Sequence, residues 1–205
     1  MKITLFGATG RVGGGVLKKA LADGHEVTVL VRSPEKLTPH DRLTIVQGNV
    51  CDKEAVTEAI SGAERVFSAL GTDKTTTLTE AVPQMIKAMR AESIERIVTI
   101  GTAGILQSRT QPEKVRYEAG DSSKRLTFAA EEHHKVFDML RQSGLDWTII
   151  CPTFLPSGGA VGDYRIGRDF LPENGKAISV GDTAAFAYGE LMTGNHIGYR
   201  VGIAY

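Results

Sequence analysis

The sequence predicts an α/β fold, a Rossmann-like doubly wound parallel sheet with helices on both faces and a small C-terminal extension on the substrate side. Two observations predict it: short β-branched runs alternate with longer helix-like stretches, and a glycine-rich turn follows the first run. Alternating strands and helices form βαβ units, whose strands are parallel and whose crossovers are right-handed. The length of 205 residues suits one domain. We expect residues 1–205 to form a single domain, with residues 152–205 contributing the substrate side.

Short apolar runs rich in β-branched residues predict the strands. They cover residues 2–6, 26–31, 43–47, 65–70, 96–100, 147–151, 177–180 and 198–203. Pro152 is expected to end the sixth strand, because proline donates no hydrogen bond to a sheet.

Amphipathic spacing and terminal signals predict the helices, which cover residues 12–22, 52–60, 78–92, 126–142 and 182–193. Asp52 and Asp182 are placed to cap the second and the fifth helix. Pro83 would lie near the first turn of the third helix, where proline is tolerated. Ser143 and Gly144 end the fourth helix.

Two segments, residues 101–124 and 152–176, are longer than ordinary connections between strand and helix. Both follow the carboxyl ends of strands, the edge at which open α/β sheets bind ligands. We interpret them as pocket walls or lids; the alternative is that they are plain surface loops.

Composition limits the classes of partner. The chain has 24 basic and 24 acidic residues, so its net charge is zero, and 41% of its residues are hydrophobic. This composition is typical of a globular protein. The absence of net charge disfavours nucleic acid or a membrane as a partner, and we expect a small-molecule acceptor instead. No leader pattern precedes the first strand, so we expect a cytoplasmic protein. Cys51 and Cys151 lack metal-ligand spacing, so we expect no metal. We also expect a monomer or a homodimer.

The turn after the first strand has the spacing G-x-x-G-x-x-G at Gly7, Gly10 and Gly13. Gly7 permits a tight turn, Gly10 lets the backbone approach a pyrophosphate, and Gly13 lets the helix pack close to the sheet. The helix N-terminus then favours the phosphates. In this context, between a strand and a helix, the turn predicts dinucleotide binding.

The second strand ends without the carboxylate that usually holds the ribose of NAD. Arg32 stands there instead, and it can contact a 2′-phosphate in bidentate fashion, with Lys36 and Arg11 adding positive charge. The sequence therefore favours NADPH over NADH, although NAD remains possible. The alternative is that Arg32 is a solvated surface residue.

The run TLFGATGRVGGGVLKKALADGHEVTVLVRSPEKL resembles the start of an atypical short-chain dehydrogenase/reductase of the NmrA-like group. Within that group the chain is most similar to the biliverdin-IXβ reductase/flavin reductase branch and to bacterial NADH-flavin-reductase-like proteins. The likeness continues through SALGT, TIGTAGIL, HHKVFDMLRQSGLDWTIICPTFL and ISVGDTAAF, and thus covers nearly the whole chain.

The resemblance implies a Rossmann sheet that binds NAD(P)H and a shallow pocket above the nicotinamide. Together with the strand ends, it gives these cofactor-binding residues: Gly7, Thr9, Gly10, Arg11, Val12, Gly13, Arg32, Lys36, Asn49, Val50, Leu70, Gly71 and Thr72. It also gives the residues near the reaction site, Thr102 and His133.

The chain departs from this pattern in three places. Phe154 replaces a histidine, and Asp73 and Lys74 replace an arginine. The Tyr-x-x-x-Lys pair of the wider superfamily is missing, since Tyr117 and Tyr164 have no lysine four residues on. These departures leave the substrate open.

Helical spacing places His133 on an apolar face with Leu126, Ala130, Phe137 and Leu140. There it could hydrogen-bond to Thr102 or to the acceptor and supply a proton near neutral pH. The alternative is a core histidine paired with a backbone carbonyl.

The missing Tyr-Lys pair suits hydride transfer to a conjugated acceptor, because the product anion delocalises and solvent can protonate it. We therefore expect an NADPH-dependent reductase of a flavin, a biliverdin-like tetrapyrrole or a quinone. One alternative is a non-catalytic NmrA-like NAD(P)-binding sensor. Another is a sugar-nucleotide or isoflavone-type reductase, for which the chain is short.

Overall fold

The computed structural model describes residues 1–72, 74–121 and 127–205. These residues form an eight-stranded sheet in the order β3-β2-β1-β4-β5-β6-β8-β7. Neighbouring strands are parallel, except that β7 runs antiparallel to β8 at the edge. The predicted α/β class is confirmed.

The strands are β1 (Lys2–Phe6), β2 (Glu26–Val31), β3 (Leu43–Gln47), β4 (Arg65–Ser68), β5 (Arg96–Ile100), β6 (Asp146–Pro152), β7 (Arg165–Arg168) and β8 (Tyr199–Ala204). The helices are α1 (Arg11–Ala22), α2 (Lys53–Ile60), α3 (Thr77–Ala91), α4 (Phe128–Arg141) and α5 (Val180–Thr193). Short 3₁₀ helices cover Pro34–Lys36 and Ala103–Ile105. None of the helices in the described ranges has both the length and the apolarity needed to cross a bilayer.

Helices cover both faces of the sheet. Helices α1 and α5 pack together on one face, and α2, α3 and α4 pack side by side on the other. Because side chains alternate along a strand, Leu5 points into the core under α1 and α5, while Phe6 points into the opposite core. Both residues are fully buried. This double burial explains why the central strands read as continuous apolar runs.

Strand order reverses between β1 and β4, which are hydrogen-bonded neighbours although two strands and two helices separate them in sequence. At their carboxyl ends Phe6 lies opposite Ser68. The chains that leave β1 and β4 turn to opposite faces of the sheet, and so they leave a crevice between them. The glycine turn begins at this crevice.

Residues 177–180 do not form the predicted strand. Only Ala177 forms a bridge, with Phe154, and the helix begins at Val180. Ser179, not Asp182, is the N-cap, because the Ser179 hydroxyl accepts a hydrogen bond from the Asp182 N–H at 3.0 Å. Asp182 lies in the first turn of the helix, where its carboxylate accepts a hydrogen bond from the Ser179 hydroxyl at 3.0 Å.

The predicted long loop 152–176 contains a strand that the sequence pattern did not reveal. Strand β7 is short and mostly exposed, so it lacks the alternation by which strands are recognised. Pro152 is the last residue of β6, one position beyond the predicted end at Cys151, and Pro83 lies in the middle of α3 rather than in its first turn. Leu126, the predicted first residue of the fourth helix, and Asp73 lie outside the described residues.

Candidate functional site

The glycine turn has the backbone geometry that the sequence predicts. Gly7 has a φ of +81°, and a Cβ at this position would lie 2.6 Å from the carbonyl oxygen of Ala69. Gly10 is the N-cap of α1, and its N–H donates to the Gly7 carbonyl at 3.0 Å. A Cβ on Gly13 would overlap the same Gly7 carbonyl oxygen. The turn therefore sets the N-terminus of α1 directly at the end of β1, with its first-turn N–H groups directed towards the crevice.

A first cavity, of about 460 Å³, opens beside this turn. The strand ends of β1, β2, β3 and β4 form its walls, and the first turn of α3 closes one side. Eight of the predicted cofactor residues line it: Gly7, Thr9, Gly10, Arg32, Asn49, Val50, Leu70 and Gly71. The strand order thus brings together residues that are more than 60 positions apart.

Nine further residues line the first cavity that are not among the predicted cofactor-binding residues: Leu30, Val31, Gly48, Cys51, Ala69, Thr75, Thr76, Thr77 and Glu80. Thr75 and Thr76, before α3, and Thr77 and Glu80, in its first turn, belong to a polar run without a motif. The one signal that could have found them is topological: a helix that follows β4 must begin beside the end of β1.

Charge in the first cavity is mixed. Arg32 is exposed at the end of β2, and Glu80 is exposed in the first turn of α3. Glu80 accepts a hydrogen bond from the Thr76 hydroxyl. Burial and a hydrogen bond to Glu80 raise the pKa of the Cys51 thiol, while the charge of Arg32 lowers it. Cys51 is therefore a neutral thiol near pH 7, and Arg32 is the cationic side chain of this cavity.

Five of the predicted cofactor residues do not line the first cavity. Val12 is buried in the core, Gly13 contacts Gly7, and Lys36 is exposed at the end of a 3₁₀ helix. The carbonyl of Thr72 accepts from Thr75 at 2.7 Å and shapes the turn before α3. Arg11 turns away from the cavity.

Arg11 joins the glycine turn to the segment after β6. Its Nη1 donates to the Leu155 carbonyl at 2.8 Å. The same segment is held to α5 by the buried carboxylate of Asp182, which accepts from the N–H groups of Val161 and Gly162 at 3.0 and 2.8 Å. Residues 155–162 are thus held at both ends, by Arg11 and by Asp182, and none of them lines the first cavity.

Burial opposes ionisation of Asp182, but the hydrogen bonds from Tyr205, Val161, Gly162 and Ser179 outweigh it and hold the pKa below its ordinary value. The carboxylate is therefore charged at neutral pH. It holds the far end of segment 155–162, whose first residue, Leu155, is contacted by Arg11.

A second cavity, also of about 460 Å³, lies at the same edge of the sheet, beyond β5 and β6. Thr102 lies on its wall as the N-cap of the 3₁₀ helix Ala103–Ile105. Both long segments that the sequence singled out contribute to it, as we expected of pocket walls. Its lining comprises Thr102, Ala103, Gly104, Arg116, Asp121, Pro152, Thr153, Phe154, Leu171, Gly175 and Lys176.

His133 lies in α4 and lines neither cavity. The side chain of His133 is partly buried. Glu132, Val136 and Leu140 form the buried face of α4, so this face is rotated about the helix axis from the apolar face that the sequence predicts. The Thr102 hydroxyl accepts from the Gly104 N–H at 3.4 Å. Within the described ranges no hydrogen bond joins it to His133.

Burial lowers the pKa of His133 to about 4, although the charge of Glu132 opposes this shift. The imidazole is therefore neutral at pH 7 and donates no proton as a cation, contrary to the expectation from its ordinary pKa. A neutral ring retains one N–H donor and one acceptor nitrogen.

Comparison with known proteins agrees with this geometry. The sequence model of the NAD(P)H-binding family matches residues 7–193. The uncharacterised protein YwnB of Bacillus subtilis (strain 168) is 28% identical over 204 residues, which cover 96% of this chain and 94% of YwnB.

Two solved structures share the fold. A candidate NADH-flavin reductase from Streptococcus pneumoniae TIGR4 superposes with a TM-score of 0.84 at 24% identity and covers 100% of this chain and 99% of its own. A wide-type short-chain dehydrogenase/reductase from Veillonella parvula, in complex with NADP, has a TM-score of 0.80 at 19% identity and covers 100% and 94%. Because the family match spans the glycine turn, the crevice and both cavities, the chain belongs to the NAD(P)H-binding family.

Proposed function

We propose that the protein is an NADPH-dependent reductase of a conjugated acceptor, such as a flavin, a biliverdin-like tetrapyrrole or a quinone, within the NmrA-like group. The observation that carries the proposal is the pair of cavities at one edge of the sheet. The first has a glycine turn and Arg32, and the second lies beyond Thr102.

The residues of the first cavity fit a dinucleotide. A Cβ on Gly7 or Gly10 would crowd the backbone of the turn, so both glycines permit its tight geometry, and α1 presents its N-terminus to a pyrophosphate. Arg32 would contact the 2′-phosphate, and Asn49, Val50 and Leu70 would flank the adenosine. Glu80 is already engaged by Cys51 and Thr76, which reduces its repulsion of a phosphate.

Bound NADPH supplies a hydride that leaves with both bonding electrons and adds to the acceptor, which then takes a proton from solvent. The protein's own contribution is positioning. Thr102, which lines the second cavity, would orient the acceptor through its hydroxyl. His133 lies on α4, which packs against the 3₁₀ helix of Thr102, and its neutral imidazole would contribute there as a hydrogen-bonding group rather than as a cationic acid.

The test is NADPH oxidation, followed at 340 nm, with FMN, biliverdin and a naphthoquinone offered in turn. Oxidation that requires both the protein and one acceptor supports the reductase. Tight NADPH binding without turnover on any acceptor would instead assign the protein to the sensor class, for which the missing Tyr-x-x-x-Lys pair leaves room. His133→Ala is expected to reduce turnover while NADPH affinity stays nearly unchanged.

A further inference from the structure

We propose that the acceptor carries an anionic group, a phosphate or a carboxylate, and that Arg116 and Lys176 bind it at the second cavity. This inference rests on the proposed function, because it takes the second cavity as the acceptor site. It narrows the acceptor class from any conjugated ring to a ring with a charged side chain, and so disfavours simple quinones.

Among the described residues, two cations, Arg116 and Lys176, and one carboxylate, Asp121, line the second cavity, so these three side chains carry one net positive charge. The carboxylate is satisfied, since it accepts from the hydroxyls of Ser108 and Thr110 at 2.7 and 3.1 Å. Within the described ranges Lys176 has no ion-pair or hydrogen-bond partner, and the guanidinium of Arg116 donates only to the Asp121 carbonyl, at 2.8 Å. Both cations therefore retain donors for a ligand.

The two cations come from separate segments, each fixed by its backbone. Arg116 donates its N–H to the Leu106 carbonyl at 2.8 Å, next to the 3₁₀ helix of Thr102. Lys176 follows a turn in which the Gly175 N–H donates to Pro172 at 3.0 Å. An adjoining cavity shares Arg116, Leu171, Gly175 and Lys176 with the second cavity, so the cations stand between the two spaces. In the adjoining cavity Arg109 is already paired with Glu173 at 3.9 Å.

The rest of the second cavity suits a flat ring. Phe154 is 69% exposed at its mouth, which leaves an aromatic face open for stacking. The Thr153 hydroxyl belongs to a residue of the same lining, is buried, and has no hydrogen-bond partner among the described residues. A ring between Phe154 and Thr102 would extend its side chain towards Arg116 and Lys176.

Two pairs of probes that differ only in the anion test the inference. FMN differs from riboflavin by a phosphate, and biliverdin differs from its dimethyl ester by two carboxylates. We measure the Kd of each probe for the protein saturated with NADP⁺, by fluorescence or absorbance, without turnover. Because charge-assisted contacts to two cations are lost in the neutral analogue, we expect the anion of at least one pair to bind about tenfold tighter. The pair that shows this preference identifies the phosphate or the carboxylate.

The double variant Arg116→Gln/Lys176→Gln should bring the Kd of the anionic probe to within about twofold of its neutral analogue. The Kd of the neutral analogue should not change. Lys87→Gln is the matched control, because Lys87 is an exposed cation on α3 that lines none of these cavities. It should leave the preference intact.

The outcomes separate this inference from the reductase proposal. Equal affinity within both pairs, binding of no probe, or equal loss of both analogues in the double variant overturns the anion site. NADPH oxidation at equal KM within both pairs, FMN against riboflavin and biliverdin against its dimethyl ester, would keep the reductase and remove the anion site. An anion preference without any turnover would keep the site and remove the reductase.

Discussion

Arg32 is the residue on which the choice between NADPH and NADH depends, because it is the cation in the first cavity. Arg32→Glu replaces a phosphate-binding fork by a like charge. A charge-assisted hydrogen bond contributes about 1.5–3 kcal/mol, so the variant should weaken NADPH binding by about tenfold to a hundredfold. NADH affinity should change by less than about threefold, since NADH has no 2′-phosphate. Quenching of protein fluorescence by each nucleotide gives both dissociation constants.

The control for this experiment is Lys18→Glu, which makes the same charge change on the exposed side of α1, away from the cavity. If Arg32→Glu and Lys18→Glu weaken both nucleotides equally, the effect is one of net charge, and the contact between Arg32 and the 2′-phosphate does not exist.

His133 should make the protein acid-sensitive. Its pKa is lowered by burial to about 4 in the fold, against about 6.5 in an unfolded chain. The unfolded state therefore binds more protons between these values, and the free energy of unfolding falls as the pH drops from about 6.5 towards 4. Since one pKa unit corresponds to about 1.4 kcal/mol, the loss is about 3 kcal/mol at most.

Urea unfolding of the wild type and of His133→Gln at pH 5 and pH 7 measures this loss. Glutamine does not titrate, so the variant should lose less stability than the wild type between the two pH values. Identical losses would show that the imidazole is solvated and that its pKa is ordinary.

At the scale of elements, the seating of α1 against β1 depends on Gly13. Its missing Cβ is what lets the helix approach the Gly7 carbonyl, so Gly13→Ala must displace α1 or the turn. Overpacking of this kind costs about 1–3 kcal/mol. We expect that loss in urea unfolding, together with weaker NADPH binding, because the displaced turn is the proposed pyrophosphate site.

Gly189→Ala is the matched control, since Gly189 lies inside α5 and a Cβ there meets nothing within 4 Å. Alanine is the better helix former by about 1 kcal/mol, so this variant should be more stable than the wild type. A similar destabilisation by both variants would mean that close packing is not what Gly13 provides.

The sequence predicts those elements whose local chemistry agrees with their final environment. The central strands are apolar on both faces, and α2 begins at the predicted cap, Asp52, whose carboxylate accepts from Glu54 N–H at 2.9 Å. Strand β7 escapes prediction because its pairing with β8 is long-range and its residues are mostly exposed. Residues 177–180 resemble a strand in sequence because they are largely apolar. In the fold this apolar character serves burial beside the start of α5 instead.

The candidate site divides in the same way. The glycine turn and Arg32 are predictable, because a motif next to a strand specifies both. Glu80, Arg116 and Lys176 are not, since no local pattern shows which strand ends will be neighbours. Only the order of strands in the sheet brings α3 beside the glycine turn, and brings the segments after β5 and β6 to one cavity.

At the scale of the whole molecule, the edge of the sheet opposite the cavities is fastened by a buried ion pair. Arg96, the first residue of β5, contacts the Glu190 carboxylate in α5 at 3.1 Å and the Thr148 hydroxyl in β6 at 2.8 Å. Glu190 also accepts from the N–H of His196 at 2.7 Å. Arg65 of β4 donates to the carbonyls of Leu191 and Met192 at the end of the same helix. Helix α5 is thereby bonded directly to β4 and β5, and through Arg96 to β6.

Breaking this ion pair should lower the free energy of unfolding without changing the cavities. Arg96→Met removes the guanidinium from the buried Glu190 carboxylate, which then keeps only its contacts with the N–H and with Nδ1 of His196, at 2.7 and 2.8 Å, and the loss of a buried ion-pair partner costs about 3–5 kcal/mol. The double variant Arg96→Met/Glu190→Leu removes both charges and should recover most of that loss, because two apolar side chains pack where two desolvated ions stood. Urea unfolding of both variants gives the coupling. NADPH affinity of the folded fraction should stay within about twofold of the wild type, since the pair lies at the amino ends of the strands. A double variant as unstable as Arg96→Met would instead mean that the hydrogen bonds of Arg96 to Thr148 and to the Asp146 carbonyl, not its pairing with Glu190, hold this edge together.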